Sequence, residues 1–365
     1  MKEIILQSAV GAEIIIEGKK CLYFGGTNYL GMANRPEVIS AARSALESFG
    51  LSSSASRSTS GTTELHLALE SAICSFAGSE DAVVICSGYM SMCALLETVA
   101  GKDDLILVQG TAHPSIWMAV RVSGLQYMEV DPFDPDQFSQ VLREVDGKKG
   151  RLLVVAEGVT PLTGRLLPLP ELFNRLEGRD ALFLLDEAHA FGVLGSRGRG
   201  TAEHFGIDDR RIMTCTTLSK AFGSSGGVIP GSRRLADQIR KFSKVYLAST
   251  PPPAPVLGAA RAALEYATNN SGMIECLRVN TERLKKGVGE LGLPVDPTPV
   301  PIIPICFGGS EKLESLSGRL FEMDILAPYG NYPGSPDGGL VRISVSAAHT
   351  TEQIDYLLDC LKKVL

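Results

Sequence analysis

The sequence predicts an α/β protein, with a mostly parallel central sheet covered by helices on both faces and a smaller α+β C-terminal domain. Three observations predict it. Short, nearly continuous apolar runs at 83–86, 105–108, 152–155 and 182–185 alternate with stretches of helical periodicity, the pattern of strands buried on both faces. The pattern breaks at Ser249-Thr250-Pro251-Pro252-Pro253, where three consecutive prolines end regular structure. At 365 residues and 44% hydrophobic content, the chain can bury one large core and a smaller second one.

The elements follow in order. After an N-terminal segment (1–35), residues 36–49 set Val38, Ala41, Ala42, Ala45, Leu46 and Phe49 on one stripe, with Pro36 in the first turn and Gly50 just past the end. That is an amphipathic helix. A second covers 63–76 through Leu65, Leu69, Ala72, Ile73 and Phe76. The four apolar strands come next and complete a large domain, 36–250. Beyond the prolines a long helix begins with Leu257, Ala260, Ala263 and Leu264, and 300–307 and 340–345 read as strands. Thr350 with Gln353 forms a capping box for a last helix through Ile354, Leu357, Leu358 and Leu361, closing a C-terminal domain, 251–365.

Composition excludes several classes. Lys+Arg 35 against Asp+Glu 41 gives a net charge of -6, and no basic block is long enough to track phosphates, so nucleic acid is not an expected partner. The start, Met1 to Gln7, lacks a long apolar segment and no run of 18 apolar residues occurs, so neither a leader nor a membrane span is expected and the protein reads as cytoplasmic. The eight cysteines include Cys86 and Cys306 in apolar surroundings and form no C-x-x-C pair; buried thiols, without metal, are expected.

The chemistry-bearing residues fall at strand ends. The apolar run 181–185 ends in Asp186-Glu187-Ala188-His189, which delivers an acid and an imidazole to the C-terminal edge of the sheet. About 34 residues later Thr217-Leu218-Ser219-Lys220 closes a hydroxyl-rich segment ahead of a glycine-rich loop. An amine, a carboxylate and an imidazole so presented match the needs of pyridoxal phosphate: a lysine to hold it as a Schiff base, an acid to keep its ring nitrogen protonated, a flat group over the ring and donors for the phosphate. Lys220 is the candidate amine, Asp186 the ring-nitrogen partner and His189 the donor to the ring hydroxyl. Ser87, Gly88 and Tyr89 follow a strand and open a helix, where backbone N–H groups cradle phosphate. Thr217 offers its hydroxyl to the same group, and His113, after the strand at 105–108, is delivered where it can stack on the ring. Singly these are weak signals, since a lysine is usually a solvated charge and an Asp after a strand often caps a helix. Their convergence on one sheet edge raises them. The D-E-A-H tetrapeptide also occurs in helicases, but these require a G-x-x-x-x-G-K-[ST] phosphate loop that the chain lacks.

In order along nearly the whole chain, these motifs resemble those of the α-oxoamine synthases, pyridoxal-phosphate enzymes of fold type I. The likeness is carried by Asn28-Tyr29-Leu30-Gly31, by Ser56-Arg57 to Gly61-Thr62 with His66 and Leu69-Glu70, and by Ser87-Gly88-Tyr89. It continues through His113, Asp186-Glu187-Ala188-His189, Gly198-Arg199-Gly200, Thr217-Leu218-Ser219-Lys220 and the stretch from Arg342 to His349. The resemblance implies condensation of a small amino acid with an acyl thioester, carried by coenzyme A or a carrier protein, with loss of carbon dioxide to give an α-amino ketone. It implies Lys220 as base, Arg342 as binder of the amino-acid carboxylate, Asn28 as a helper beside it and Glu157 as a cofactor contact; an Asn in a turn is an equal reading of Asn28. Ser249 and Thr250 are implied to reach a neighbouring subunit's cofactor phosphate, hence a homodimer with shared sites; their simpler role is capping the helix after the prolines.

Two departures stand out. The family's E-[SG]-x-[FY]-S-M-D-G segment is Glu157-Gly158-Val159-Thr160-Pro161-Leu162-Thr163-Gly164 here, so Pro161 replaces a serine that bonds the ring hydroxyl, with Thr160 or Thr163 as substitutes. An N-terminal helical extension that supplies an arginine to the acyl pocket of several members is not expected in this chain. Transamination or a lyase reaction on the same scaffold is the alternative enzyme reading. A partner subunit without activity is a third, opposed by the retention of Lys220, Asp186 and both histidines.

Overall fold

The structure, a computed structural model, describes residues 4–332 and 334–365. Met1–Glu3 of the N-terminal segment and Pro333 lie outside the described residues. The strands are β1 (Glu13–Ile16), β2 (Lys19–Tyr23), β3 (Asp81–Ile85), β4 (Leu105–Gln109), β5 (Gln126–Val130), β6 (Leu152–Glu157) and β7 (Ala181–Asp186). They continue as β8 (Ile212–Thr217), β9 (Gly227–Gly231), β10 (Ile302–Ile305), β11 (Ile325–Leu326), β12 (Tyr329–Gly330) and β13 (Leu340–Ser344).

Seven of these form the central sheet in the order β3-β9-β8-β7-β6-β4-β5. The sheet is parallel except for β9, which is antiparallel to both β8 and β3. Because β9 reverses between them, β3 and β8 run the same way, and β3, β4, β6, β7 and β8 all end on one edge. Their apolar runs are buried throughout, as in β4, whose five residues are all enclosed, which requires helices on both faces. One core joins Val83, Val108, Leu153 and Leu184 to the helices Gly88–Val99 and Pro114–Ser123; another packs Leu107, Val154, Phe183 and Leu185 against Phe138 and Leu172. Strand β9, glycine-bounded and short, carried no alternating signal in the sequence.

The two sequence-read N-terminal helices are Pro36–Phe49, with proline in its first turn, and Glu64–Ala77, whose Thr63 N–H donates to His66 Nδ1 at 3.1 Å in a capping box. The helix Ala254–Asn269 that follows the prolines places Leu257, Ala260, Ala263 and Leu264 in one core with Leu69 and Ile73. The next helix, Gly272–Glu290, spans two cores: Ile274 and Leu277 lie with that group, while Leu284 and Val288 lie with the C-terminal sheet residues Ile303, Ile305, Val341 and Ile343. There β13 is flanked by antiparallel β10 and β12. The last helix, Thr351–Val364, starts on the expected box, with Thr350 N–H donating to Gln353 Oε1 at 3.0 Å and Gln353 N–H to Thr350 Oγ1 at 3.3 Å. The N-terminal strands belong with this end of the molecule, since β2 pairs with β11.

The cysteines are free, as expected, but not all buried: Cys21, Cys93, Cys215 and Cys360 are enclosed, whereas Cys276 and Cys306 are exposed. Cys306 follows Ile305 at the end of β10, and strand alternation turns its side chain outward. Among the described residues no helix is long and apolar enough to cross a membrane.

Candidate active site

Shared strand direction is what assembles the site. Ser87 follows β3, His113 follows β4, Glu157 ends β6, Asp186 ends β7, and Thr217 with Lys220 closes β8, so residues far apart in sequence meet at one sheet edge. Beside that edge lies a cavity of about 680 Å³ lined by His113, His189, Lys220, Arg342, Thr160, Pro161 and Thr163, among others. The C-terminal part of the chain contributes Pro328, Tyr329, Leu340 and Arg342 to its lining.

Lys220 lines this protein-walled space and Asp186 lies enclosed behind it, so burial dominates both. It pushes the Lys220 ammonium below its ordinary value, against the pull of Asp186 and Glu157. It pushes the Asp186 carboxyl up, against Lys220. Asp186 Oδ1 also accepts from the Ala188 N–H at 2.9 Å. Glu157, paired in register with Asp186 on the neighbouring strand, is raised well above the usual carboxyl range by burial and then by Asp186, and its Oε2 has no hydrogen-bond partner among the described residues. Two carboxyls this close cannot both ionise cheaply without a cation between them.

The histidines are fixed by their partners. His113 caps the helix Pro114–Ser123: its Nδ1 accepts from the Ser115 N–H at 3.2 Å, which leaves the proton on Nε2, and its ring stands edge-on to Tyr89 at 6.1 Å. Burial lowers its pKa, then Lys220 does. His189 is buried and held neutral, well below its ordinary value, by burial and then by Lys220 and Arg342. Its Nδ1 lies 2.8 Å from the Tyr29 hydroxyl, and that hydroxyl accepts from Arg342 Nη2 at 3.0 Å. A guanidinium can only donate, so the phenol proton turns to His189 Nδ1 and the imidazole carries its own proton on Nε2. Arg342 Nε donates to the Pro161 carbonyl at 2.8 Å, leaving Nη1 without a protein partner among the described residues.

The start of the helix Gly88–Val99 lies close against Thr217. Ser87 Oγ accepts from the Tyr89 N–H at 3.2 Å, and a Cβ on Gly88 would fall 2.5 Å from Thr217 Oγ1, so only glycine lets the helix N-terminus and the Thr217 hydroxyl share this space. Thr217 Oγ1 in turn lies 2.9 Å from Ser219 Oγ.

Not every expected residue joins the site. Asn28 spends its side chain on local backbone, Nδ2 donating to the Val10 carbonyl at 3.3 Å and Oδ1 accepting from the Ala33 N–H at 3.2 Å, and it does not line the cavity. Its neighbour Tyr29 carries the connection to Arg342 instead, which sequence reasoning passed over although the residue lay inside a quoted motif. Ser249 ends the short helix Lys244–Ala248, and neither it nor Thr250 caps the helix Ala254–Asn269, which has no side-chain cap. Arg57 and Glu70 form a buried ion pair whose Glu70 Oε1 also accepts the Val84 N–H at 3.0 Å, a structural role. Glu187 is likewise structural: Oε2 accepts from the Thr201 N–H and hydroxyl at 3.1 and 2.9 Å.

Fold and site together define an enzyme of the fold-type I class, built around a strand-end lysine. A family profile described as "Aminotransferase class I and II" matches residues 19–361, and the chain belongs to that family. It is 32% identical over 361 residues to an 8-amino-7-oxononanoate synthase of Thioalkalivibrio sulfidiphilus, covering 98% of this chain and 92% of the relative. It is 34% identical over 360 residues to the synthase of the same name from Symbiobacterium thermophilum, with 98% and 92% covered. Among solved structures, a serine palmitoyltransferase with its PLP internal aldimine superposes with a TM-score of 0.93 at 27% identity, covering 99% of this chain and 92% of that one.

Proposed function

We propose that this chain is a pyridoxal-phosphate-dependent acyltransferase of the α-oxoamine synthase type, joining a small amino acid to an acyl thioester with loss of carbon dioxide to give an α-amino ketone. The observation that carries this reading is the convergence of a desolvated amine, Lys220, and an arginine, Arg342, on one cavity, with the enclosed carboxylate Asp186 close enough to Lys220 to act on its charge. Its support also includes the near full-length likeness to 8-amino-7-oxononanoate synthases.

The residues present fit pyridoxal phosphate: the glycine-shaped cradle at Ser87–Tyr89 with Thr217 suits a phosphate, and the costly carboxyl pair Asp186 and Glu157 suits a cationic ring beside it. When bound, the group supplies an aldehyde that captures amines and a ring that absorbs electrons released at the substrate's α-carbon. Lys220 Nζ, its proton loosened by burial, would hold the group and would serve as the base for the α-proton of the amino acid. Asp186 would hold a proton on the ring nitrogen, and His189, with its Nδ1 engaged by Tyr29, would offer its Nε2–H to the ring hydroxyl. Thr160 and Thr163, whose hydroxyls lie 2.8 Å apart on the cavity wall, stand where Pro161 displaces the family's serine. Arg342 takes the amino-acid carboxylate with the donor that Pro161 and Tyr29 leave free.

The enzyme works as a cytoplasmic homodimer in this reading. Ser249 and Thr250 make no side-chain hydrogen bond among the described residues, which suits hydroxyls that serve a neighbouring subunit's phosphate site. Carbon dioxide release from a small amino acid, followed with and without an acyl thioester, tests the reaction: a strict thioester requirement is expected, and release or amino-group transfer without it would instead assign a lyase or aminotransferase.

A further inference from the structure

The segment that departs most from the family motif, Glu157 to Gly164, leads directly into an arginine that no role so far has used. Residues 159–166 fold back on themselves, with a bridge between Val159 and Leu166. The Thr160 N–H donates to the Arg165 carbonyl at 3.0 Å, and the Arg165 N–H donates to Thr160 Oγ1 at 2.8 Å. Gly164 turns the corner at φ +65°, where a Cβ would also meet the Ile302 carbonyl oxygen at 2.9 Å. The backbone of Arg165 is therefore held by two hydrogen bonds to one residue, and the same loop offers the Pro161 carbonyl that orients Arg342.

The Arg165 side chain projects from this rigid turn into the cavity wall. Its guanidinium lies 3.8 Å over the Phe133 ring, and among the described residues no carboxylate pairs with it. Asp131 also lines the cavity, with Oδ1 accepting from the Phe133 N–H at 2.9 Å. An arginine backed by an aromatic face keeps its planar fork of donors directed outward, the geometry that carboxylates and phosphates match. The cavity is in the range that encloses drug-sized ligands, and Arg165 lines it together with Arg342, Lys220 and the histidines. Arg342 already serves the amino-acid carboxylate, so a second anion reader in the same space addresses the other substrate.

We infer that Arg165 is a specificity-determining residue that binds an anionic group carried by the acyl donor. The inference rests on the reaction proposed above. Two parts of such a donor carry that chemistry, the phosphates of its carrier and a carboxylate at the far end of the acyl chain.

Three probes separate them on the cofactor-loaded enzyme: hexanoyl-CoA, which has phosphates and a neutral chain; S-adipoyl-N-acetylcysteamine, which has a terminal carboxylate and no phosphate; and S-hexanoyl-N-acetylcysteamine, which has neither. Dissociation constants are measured by calorimetry for the unaltered enzyme, Arg165→Gln and Arg165→Lys, with the spectral titration by amino acid as the control for an intact site. Arg165→Gln is expected to weaken one anionic probe by about 10- to 100-fold, the size of a hydrogen-bonded charge contact, while Arg165→Lys recovers part of the loss and the amino-acid titration stays unchanged. Loss confined to hexanoyl-CoA assigns the phosphates, and loss confined to the adipoyl probe assigns the carboxylate. Equal weakening of the neutral probe, or no weakening of either anion, overturns the inference and leaves the reaction standing. Failure of the unaltered enzyme to bind any thioester overturns the reaction and the inference together.

Discussion

Replacing Tyr29 by Phe removes one oxygen and isolates the connection between Arg342 and His189. The side chain is 1% exposed, so water does not replace what is lost on its own side. Two bonds go: the acceptor for Arg342 Nη2 at 3.0 Å and the donor to His189 Nδ1 at 2.8 Å. A hydrogen bond to a charged group is worth about 1.5–3 kcal/mol and a neutral one about 1 kcal/mol. Arg342 is only half-buried and opens onto the cavity, so water can take up its freed N–H and the sum falls toward the lower end. About 2–3 kcal/mol of stability is the expected loss, read as a lower urea midpoint of the cofactor-free protein with an unchanged slope. Function changes for a second reason. Without the phenol proton, His189 no longer has its Nδ1 reserved as an acceptor, so its Nε2–H form is no longer imposed, and Arg342 keeps only its Pro161 anchor. The Michaelis constant for the amino acid should rise about tenfold, and the imidazole nitrogen resonances of His189 should move toward a mixture of tautomers. A Tyr29→Phe enzyme with an unchanged midpoint, an unchanged amino-acid constant and unchanged nitrogen shifts would refute the reasoning.

Other expectations concern the lysine, the cradle and a buried acid. Lys220→Ala should abolish product formation while retaining part of the cofactor affinity, and borohydride treatment of the unaltered protein should add a pyridoxyl mass that the variant lacks. Gly88→Ala should weaken cofactor binding by at least about tenfold, because the methyl group falls on Thr217 Oγ1; fluorescence titration reads the loss, and a Thr217→Ser change in the same chain should not restore it, since the oxygen remains. Burial raises Glu187 from 4.5 to about 7. The folded protein therefore binds more protons than the unfolded chain between these values, and the associated stability, whole below pH 4.5, is lost as pH rises through 7. That loss is at most roughly 3 kcal/mol, and Glu187→Gln should flatten the change in urea midpoint between pH 5 and pH 8 that the unaltered protein shows.

Much of this was legible from residue pattern. The strands at 105–109 and 181–186 are buried on both faces and so read as unbroken apolar runs, while the helices Pro36–Phe49 and Thr351–Val364 carried proline or a capping box at their starts. Asp186, His113 and His189 could be singled out because each follows an apolar run, whose end locates a side chain on the sheet edge, and Lys220 because it closes a hydroxyl-rich segment ahead of a glycine-rich loop. Asn28 stayed open between two readings for a corresponding reason. A short polar side chain satisfies nearby backbone as readily as it faces a substrate, and the choice depends on where Val10 and Ala33 lie. Tyr29 escaped notice because a buried phenol in an apolar segment looks like core until its partners, 160 and 313 residues away in sequence, are known.

The chain's own order of residues thus determined which groups would be offered: an amine, a carboxylate, two imidazoles and a helix N-terminus after strands, since local periodicity and strand ends depend only on neighbours in sequence. Tertiary structure alone decided how those groups are tuned and joined. The reversal of β9 brings β3 beside β8 in direction, the loop 159–166 turns Pro161 toward Arg342 and Arg165 onto Phe133, and burial removes the water that would otherwise hold Lys220 and Asp186 at their ordinary values. Contact and desolvation belong to the assembled molecule, because each depends on atoms that no local stretch of sequence contains.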